Sequence, residues 1–264
     1  MGRRREYHAH LVGWERGMGL SKTVTDAALL FKRRTPRLYR SIRDNTPRRL
    51  RSIINEKMTV DSLGAGDPKE VFTNIFKKNW WNNDESRSGW GAELKRTQSI
   101  RGNLSDFARR LSLRSLLDAP CGDFNWMQHV DWPPGFKYIG ADIVHDLISE
   151  NRRKHPGIEF MEFNVLSDPL PDVDAWLARD LMIHFPDEAI WTALDQFRRS
   201  PIRYLLATTY PNAQRNADIK FGQVRHINLC APPFSLPSPL ETLHEDDDPI
   251  TGRVIAVWRR SDIQ

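Results

Sequence analysis

Six short apolar runs recur along the chain: SLLD at 115–118, YIGAD at 138–142, IEFMEF at 158–163, DAWLA at 174–178, YLLATT at 204–209 and VIAVW at 254–258. Amphipathic stretches separate several of them. Val144, Leu147, Ile148 and Asn151 lie at helical spacing, as do Ile190, Ala193, Leu194 and Phe197 after a candidate cap at Asp187. Upstream, Val71, Phe72, Ile75 and Phe76 form one helical set. Leu94, Thr97, Ile100, Leu104, Phe107, Ala108 and Leu111 form a longer one. Short apolar strands alternating with helices fit a parallel sheet covered on both faces. The expected fold class is therefore α/β, Rossmann-like, with a mostly parallel sheet. Such sheets bind ligands at the carboxyl ends of their strands, so the residues that end each run are the candidates for function.

Composition limits the alternatives. With 39% hydrophobic and 28% charged residues, the 264-residue chain is neither fibrous nor wholly disordered. No run reaches the roughly 18 apolar residues of a membrane span. The start, MGRRREYHAH, has no apolar stretch behind its arginines, so no secretory signal is expected. Cys121 and Cys230 are too few for a disulfide framework and lack CxxC spacing, which fits a reducing, cytoplasmic setting. The charge is uneven. Residues 1–51 hold 14 Arg and Lys against 4 Asp and Glu, while the remainder is net acidic. Residues 1–58 read as a basic extension, partly helical (RRLRSIINEKM after Pro47) or disordered. They suit nucleic acid or an anionic membrane surface, or form a solvated tail. Residues 59–69, TVDSLGAGDPK, read as a linker, and 70–264 as an α/β domain with N-terminal cap helices.

The first strand ends in Asp118-Ala119-Pro120-Cys121-Gly122-Asp123-Phe124, with a helix expected from about Asn125-Trp126. Gly122 permits close approach of a ligand. Asp142 ends the second strand, 24 residues after Asp118, where an acid binds both hydroxyls of a ribose or, alternatively, caps the helix starting near Val144. The turn carries neither GxGxxG for a dinucleotide nor GxxxxGK[ST] for a triphosphate. A nucleoside without phosphate fits it better, which points to S-adenosylmethionine.

LLDAPCGDFNWM followed by YIGADIV resembles motifs I and II of class I S-adenosylmethionine-dependent methyltransferases, and ARDLMIHF is similar to their segment after strand four. NDESRSGWGAEL and INLCAPPFSLPSPL resemble the flanks of a largely uncharacterised bacterial and algal subgroup. The likeness covers about residues 70–260. Pro120 and Phe124 stand where the common DxGxGxG motif has its outer glycines. The resemblance implies that Asp118 orders the turn and reaches the cofactor's amino group, while Gly122 lies against its amino-acid or ribose part. It places Asp142 on the ribose, Ile143 on adenine, and Asn164 and Val165 at the adenine edge. Arg179 and Asp180 would flank methionine and acceptor. The loop holding Glu85, Ser86, Ser88 and Gly89 would close over the cofactor, or serve as a plain turn and cap before the next helix.

Methyl transfer to oxygen benefits from a base. Asp180 and His184 are four apart, so His184 is the candidate base and Asp180 its orienting partner. Two such ligands do not make a metal site, and no metal is expected. Arg225 or His226, in the long stretch after Tyr210-Pro211-Asn212, would bind an acidic or hydroxylated acceptor or else lie in a surface loop. Trp80, Trp81 and Trp90 would form a lid or sugar platform, or core. His244-Glu245-Asp246-Asp247-Asp248 reads as a solvated hairpin. The leading function is methyl transfer to oxygen on a small molecule or glycan. Arg179-Asp180-Leu181-Met182 stands where base-nitrogen methyltransferases carry an NPPY-type tetrapeptide. The competing classes are a nicotinamide-dependent oxidoreductase and a noncatalytic nucleotide-binding module with a basic arm.

Overall fold

The computed structural model describes residues 66–245 and 252–263. The basic arm 1–58 and the linker as far as residue 65 lie outside the described residues. Helix α1 (Pro68–Lys77) starts inside the stretch read as linker. The Asp67 side chain accepts the Lys69 amide at 2.8 Å and Pro68 sits in the first turn, two start signals that outweigh the breaker reading. Helix α2 (Gln98–Arg110) follows a short 3-10 turn, Trp90–Ala92.

The sheet then builds in order: β1 (Ser115–Asp118), β2 (Lys137–Asp142), helix α3 (His145–Lys154), β3 (Glu159–Glu162), β4 (Ala175–Ala178), helix α4 (Asp187–Arg199), β5 (Tyr204–Thr209), β6 (Glu241–His244) and β7 (Val254–Arg259). Its strand order is β3-β2-β1-β4-β5-β7-β6. The first five strands are parallel, with Leu117 opposite Ile139 on one side and Trp176 on the other. β7 runs antiparallel to both β5 and β6. The chain's direction across the sheet reverses between β1 and β4, the position where open α/β sheets leave a crevice.

Alternate side chains of each strand enter two cores. Leu117, Ile139, Trp176, Leu205 and Trp258 pack on one face with Ile190, Ala193, Leu194 and Phe197 of α4. Leu116, Tyr138, Leu177, Leu206 and Val257 pack on the other with Ile100, Leu104 and Phe107 of α2 and Leu147 and Ile148 of α3. Ile227, Leu229, Phe234 and Leu236 complete the α4 face from the irregular stretch between β5 and β6.

Two elements depart from the sequence expectation. No α-helix follows β1. Residues Met127–His129 form a single 3-10 turn, because Phe124 takes a positive φ of 58° and Pro133, Pro134 and Gly135 follow closely. Trp126, Met127 and Val130 still bury their side chains, so this crossover is an irregular plug in the core. β6 was not anticipated: in ETLH only Leu243 is buried, which leaves no apolar run to read. Among the described residues no helix is long and apolar enough to cross a membrane.

Trp176 is fully buried at the sheet centre, and its indole N–H donates to the Ala119 carbonyl at 3.0 Å. Trp176→Ala should cost about 3–5 kcal/mol, read as a lower urea midpoint with the slope unchanged. A loss below about 1 kcal/mol would contradict this packing.

Candidate active site at the carboxyl edge of the sheet

A cleft of about 1140 Å³, its open mouth included, lies over the carboxyl ends of β1 to β4 and is bounded by α1. It brings together Ser88, Asp118, Gly122, Asp142, Ile143, Asn164, Val165, Arg179, Asp180 and His184. Glu85, Ser86 and Gly89 do not line it.

Asp142 is buried where β2 ends. Its Oδ1 accepts the Val144 amide at 3.1 Å and its Oδ2 the Gly122 amide at 3.2 Å. It therefore ties the turn after β1 to the turn ahead of α3, whose N-cap position, Val144, has no side-chain cap, and the Ile143 amide also pulls on the carboxylate. Burial raises its pKa to about 6, against the pull of those amides. Asp118 is also buried. Burial raises it to about 7, although the Tyr138 hydroxyl donates to it at 2.7 Å. Asn164 gives one Oδ1 lone pair to the Leu166 amide at 3.0 Å and keeps the other.

Gly122 has φ 55°, and a Cβ there would overlap the Ser88 hydroxyl. The glycine is required by the chain itself: the loop before α2 presses onto the turn after β1. Its anchor is Asp123, which the sequence reading did not single out. Asp123 accepts the Ser86 hydroxyl at 2.8 Å, the Arg87 amide at 2.7 Å and the Ser88 hydroxyl at 3.1 Å, while its own amide donates to Ser88 Oγ at 3.0 Å. Glu85 works on the outside of this loop, accepting the Leu94 amide at 2.6 Å and the Asn125 side chain at 3.0 Å. Gly89 lets the backbone lie against the Trp81 side chain. Between the serines, Arg87 reaches the cleft, where its guanidinium donates to the Phe76 carbonyl at 3.2 Å and lies 5.2 Å from the Phe76 ring.

A charge cluster closes the β4 side. Arg179 Nε donates to Glu245 at 2.7 Å and its Nη2 to the Gly91 carbonyl at 2.6 Å, with the guanidinium over Trp126 at 5.0 Å. Arg253 donates to both oxygens of Asp180, at 2.9 and 2.8 Å, and lies 2.8 Å from Glu245. Glu245, read as part of a solvated hairpin, has a fully buried side chain, because two arginines distant in sequence enclose it. Residues 246–248 of that run lie outside the described residues. Burial would raise Asp180, but Arg253 and Arg179 outweigh it and hold its pKa below the ordinary value.

Asp180 is therefore not hydrogen-bonded to His184. The imidazole is held by another group: Nδ1 lies 2.9 Å from the Gln223 carbonyl, which can only accept. That bond fixes the tautomer with an unprotonated Nε2. Desolvation keeps the ring neutral, lowering its pKa against the pull of the Gln223 carbonyl and Asp180. Trp81 packs on it at 5.1 Å and lines the cleft, whereas Trp80 is buried and Trp90 reaches the Trp81 carbonyl. Arg225 and His226 do not line the cleft. Arg225 is buried against Asp187 at 2.6 Å and the Phe185 carbonyl at 2.9 Å, and His226 stacks on Tyr210 at 4.3 Å.

The fold has relatives among solved structures. Magnesium protoporphyrin IX methyltransferase (ChlM) from Synechocystis PCC 6803, with bound SAM, aligns at 15% identity and TM-score 0.52 over 75% of this chain and 99% of its own. The same enzyme with bound SAH aligns at 14% identity and TM-score 0.51 over 72% and 99%. The methyltransferase domain of bacterial CtHen1-C matches at 12% identity and TM-score 0.38 over 43% of this chain, which spans 65% of that relative's length. No protein-family model matches the chain, and no curated protein matches it in sequence. At these identities the likeness is one of fold, the Rossmann-like architecture of methyltransferases.

The Asp123 clamp is open to direct test. Asp123→Ala should speed hydrogen exchange at the Arg87 and Ser88 amides about tenfold or more and cost about 1–3 kcal/mol of stability. Unchanged exchange there would contradict the clamp.

Proposed function

We propose that this chain is an S-adenosylmethionine-dependent methyltransferase acting on an oxygen of a small molecule or glycan. One observation carries the reading: Asp142, a buried carboxylate with up to four acceptor sites, lines the cleft at the end of β2 together with Gly122 and the apolar pair Ile143 and Val165. That is the set of groups a nucleoside needs, a carboxylate to accept from the ribose hydroxyls and an apolar slot for the base. The rest of the cleft fits the same ligand. Asn164 retains an acceptor for the adenine amino group, Asp118 supplies a carboxylate for an ammonium, and Arg87 supplies a cation for a carboxylate. Ser88 occupying the space over Gly122 argues against a dinucleotide, whose pyrophosphate would need that approach. In this reading residues 70–264 form the catalytic body, and the basic arm is an appendage suited to an anionic partner.

When bound, S-adenosylmethionine supplies a methyl group on a sulfonium centre, which departs while its bonding pair stays on sulfur. The protein's share is alignment and proton handling. Asp142 and Asn164 orient the nucleoside, Arg87 and Asp118 hold the amino-acid end, and the β4 charge cluster fixes the turn that carries His184. The Nε2 lone pair then takes the proton from the acceptor hydroxyl, and the ring passes it to solvent.

Isothermal titration with S-adenosylhomocysteine tests the reading. Micromolar binding is expected, weakened roughly 10- to 100-fold by Asp142→Ala, the value of hydrogen bonds to a charged group. Absence of binding by folded protein would overturn it. Affinity should be full above about pH 8, fall up to about tenfold per unit between pH 7 and 6 and more steeply below pH 6, because protonated Asp118 and then protonated Asp142 lose acceptor capacity and charge. Affinity that rises on acidification would contradict the assignment. Arg87→Ala should weaken S-adenosylhomocysteine about tenfold or more and leave 5′-methylthioadenosine, which has no carboxylate, unchanged. Equal losses for both ligands would remove Arg87 from that role.

A further inference from the structure

The half of the cleft that holds His184 has its own chemistry. Phe72 of α1 meets the His184 ring at 6.4 Å and Phe185 at 6.1 Å, while Trp81 lies 5.1 Å from the imidazole. Pro68 and Leu181 line the cleft beside them. These walls are apolar, and the charged groups next to them are committed elsewhere. Asp180 is spent on Arg253 and Thr208, and Arg179 on Glu245 and the Gly91 carbonyl. Nε2 of His184 and the indole N–H of Trp81 are the polar groups here, since Nδ1 is taken by Gln223.

The imidazole is also placed rigidly. The Gly222 amide donates to the His184 carbonyl at 3.0 Å and the Arg225 amide to the Ile183 carbonyl at 3.1 Å, so a second strand of chain backs the turn on which the ring stands.

We infer that the methyl acceptor is a flat aromatic alcohol, its ring against Trp81 and Phe72 and its hydroxyl on His184 Nε2. The inference rests on the methyltransferase reading and narrows its acceptor from small molecules and glycans to one class. A saccharide carries a hydroxyl on almost every ring carbon, and these walls would leave most of them without partners. An aromatic ring needs no polar partner along its faces, packs against the part of the indole that His184 and Gly89 leave open to the cleft, and presents one oxygen. In the transfer the hydroxyl proton goes to Nε2 and the oxygen lone pair forms the new bond to the methyl carbon. The former bonding pair stays on sulfur, so charge and atoms balance with no further reactant.

The test is binding to protein saturated with S-adenosylhomocysteine. The probes are 2-naphthol, its saturated counterpart decahydro-2-naphthol, and maltose, followed by isothermal titration. We expect 2-naphthol to bind at least tenfold more tightly than the saturated alcohol and maltose to give no saturable heat. Trp81→Ala should abolish the preference and Trp81→Phe should retain it, which separates a lost stacking face from a misfolded loop. Binding of maltose, equal affinities for the two alcohols, a preference untouched by Trp81→Ala, or no binding of 2-naphthol would each overturn the inference. The S-adenosylhomocysteine titration is read first. Its failure overturns the methyltransferase reading, whereas its success with no discrimination among the three probes overturns only the acceptor class.

Discussion

Two arginines and two carboxylates meet at the end of β4, and much of the site depends on their mutual neutralisation. Arg179 and Glu245 side chains are 5% and 0% exposed, and Arg253 is 10% exposed. Charges this far from water persist only when paired and hydrogen-bonded. Removing one member of such a set costs about 3–5 kcal/mol, because its partner is left buried and alone. The pairing also holds Asp180 at φ 56°, a left-handed conformation that a residue with a side chain adopts only under constraint. That conformation begins the turn that delivers His184 to the cleft. Arg179 also binds the Gly91 carbonyl, so the loop before α2, the end of β4 and Glu245 just after β6 converge on one guanidinium.

The cleft divides its work by electrostatics. On the β1 and β2 side, Asp118 and Asp142 are carboxyls whose pKa values burial has raised. In the empty protein such groups favour the protonated folded state. Their contribution to stability is present below the ordinary carboxylate pKa and is lost as pH rises toward 6 and 7. A ligand that donates hydroxyls and an ammonium to them relieves that cost, so the energy of binding is partly stored in the empty site. On the β4 side the logic is reversed: the charges of Asp180, Arg179, Arg253 and Glu245 compensate one another, and His184, whose Nδ1 faces the Gln223 carbonyl, is a neutral ring. A pole of buried carboxyls, where the cofactor is proposed to bind, and an apolar pole, where the acceptor is proposed to bind, follow from the same set of strand ends.

The sequence foretold the central strands well, because strands buried on both faces leave apolar runs that need no tertiary information. YLLATT coincides with β5, and VIAVW falls within β7. The edge strand β6 left no such mark. At the cleft, Gly122 and Asp142 could be picked out from their place after strand ends, whereas Ile143 and Val165 came only with the family resemblance; all four line it. The roles of Asp123 and Glu245 were not. Asp123 matters because of Ser86 and Ser88, 37 and 35 residues away, and Glu245 because of Arg179, 66 residues away. A run of acids reads as solvated until the arginines that enclose one of them are placed. Arg225 erred the other way: a basic residue in a long loop resembles an anion site, but here it is consumed by Asp187 and two carbonyls.

The central claim is that the carboxyl edge of β1 and β2 is a nucleoside site. The most direct measurement is a crystal structure of the protein grown with S-adenosylhomocysteine. The account predicts both ribose hydroxyls on Asp142, the adenine between Ile143 and Val165, and the amino-acid end running past Asp118 toward Arg87. A ligand bound elsewhere, or one in the cleft with Asp142 still engaged only by the Val144 and Gly122 amides, would contradict it.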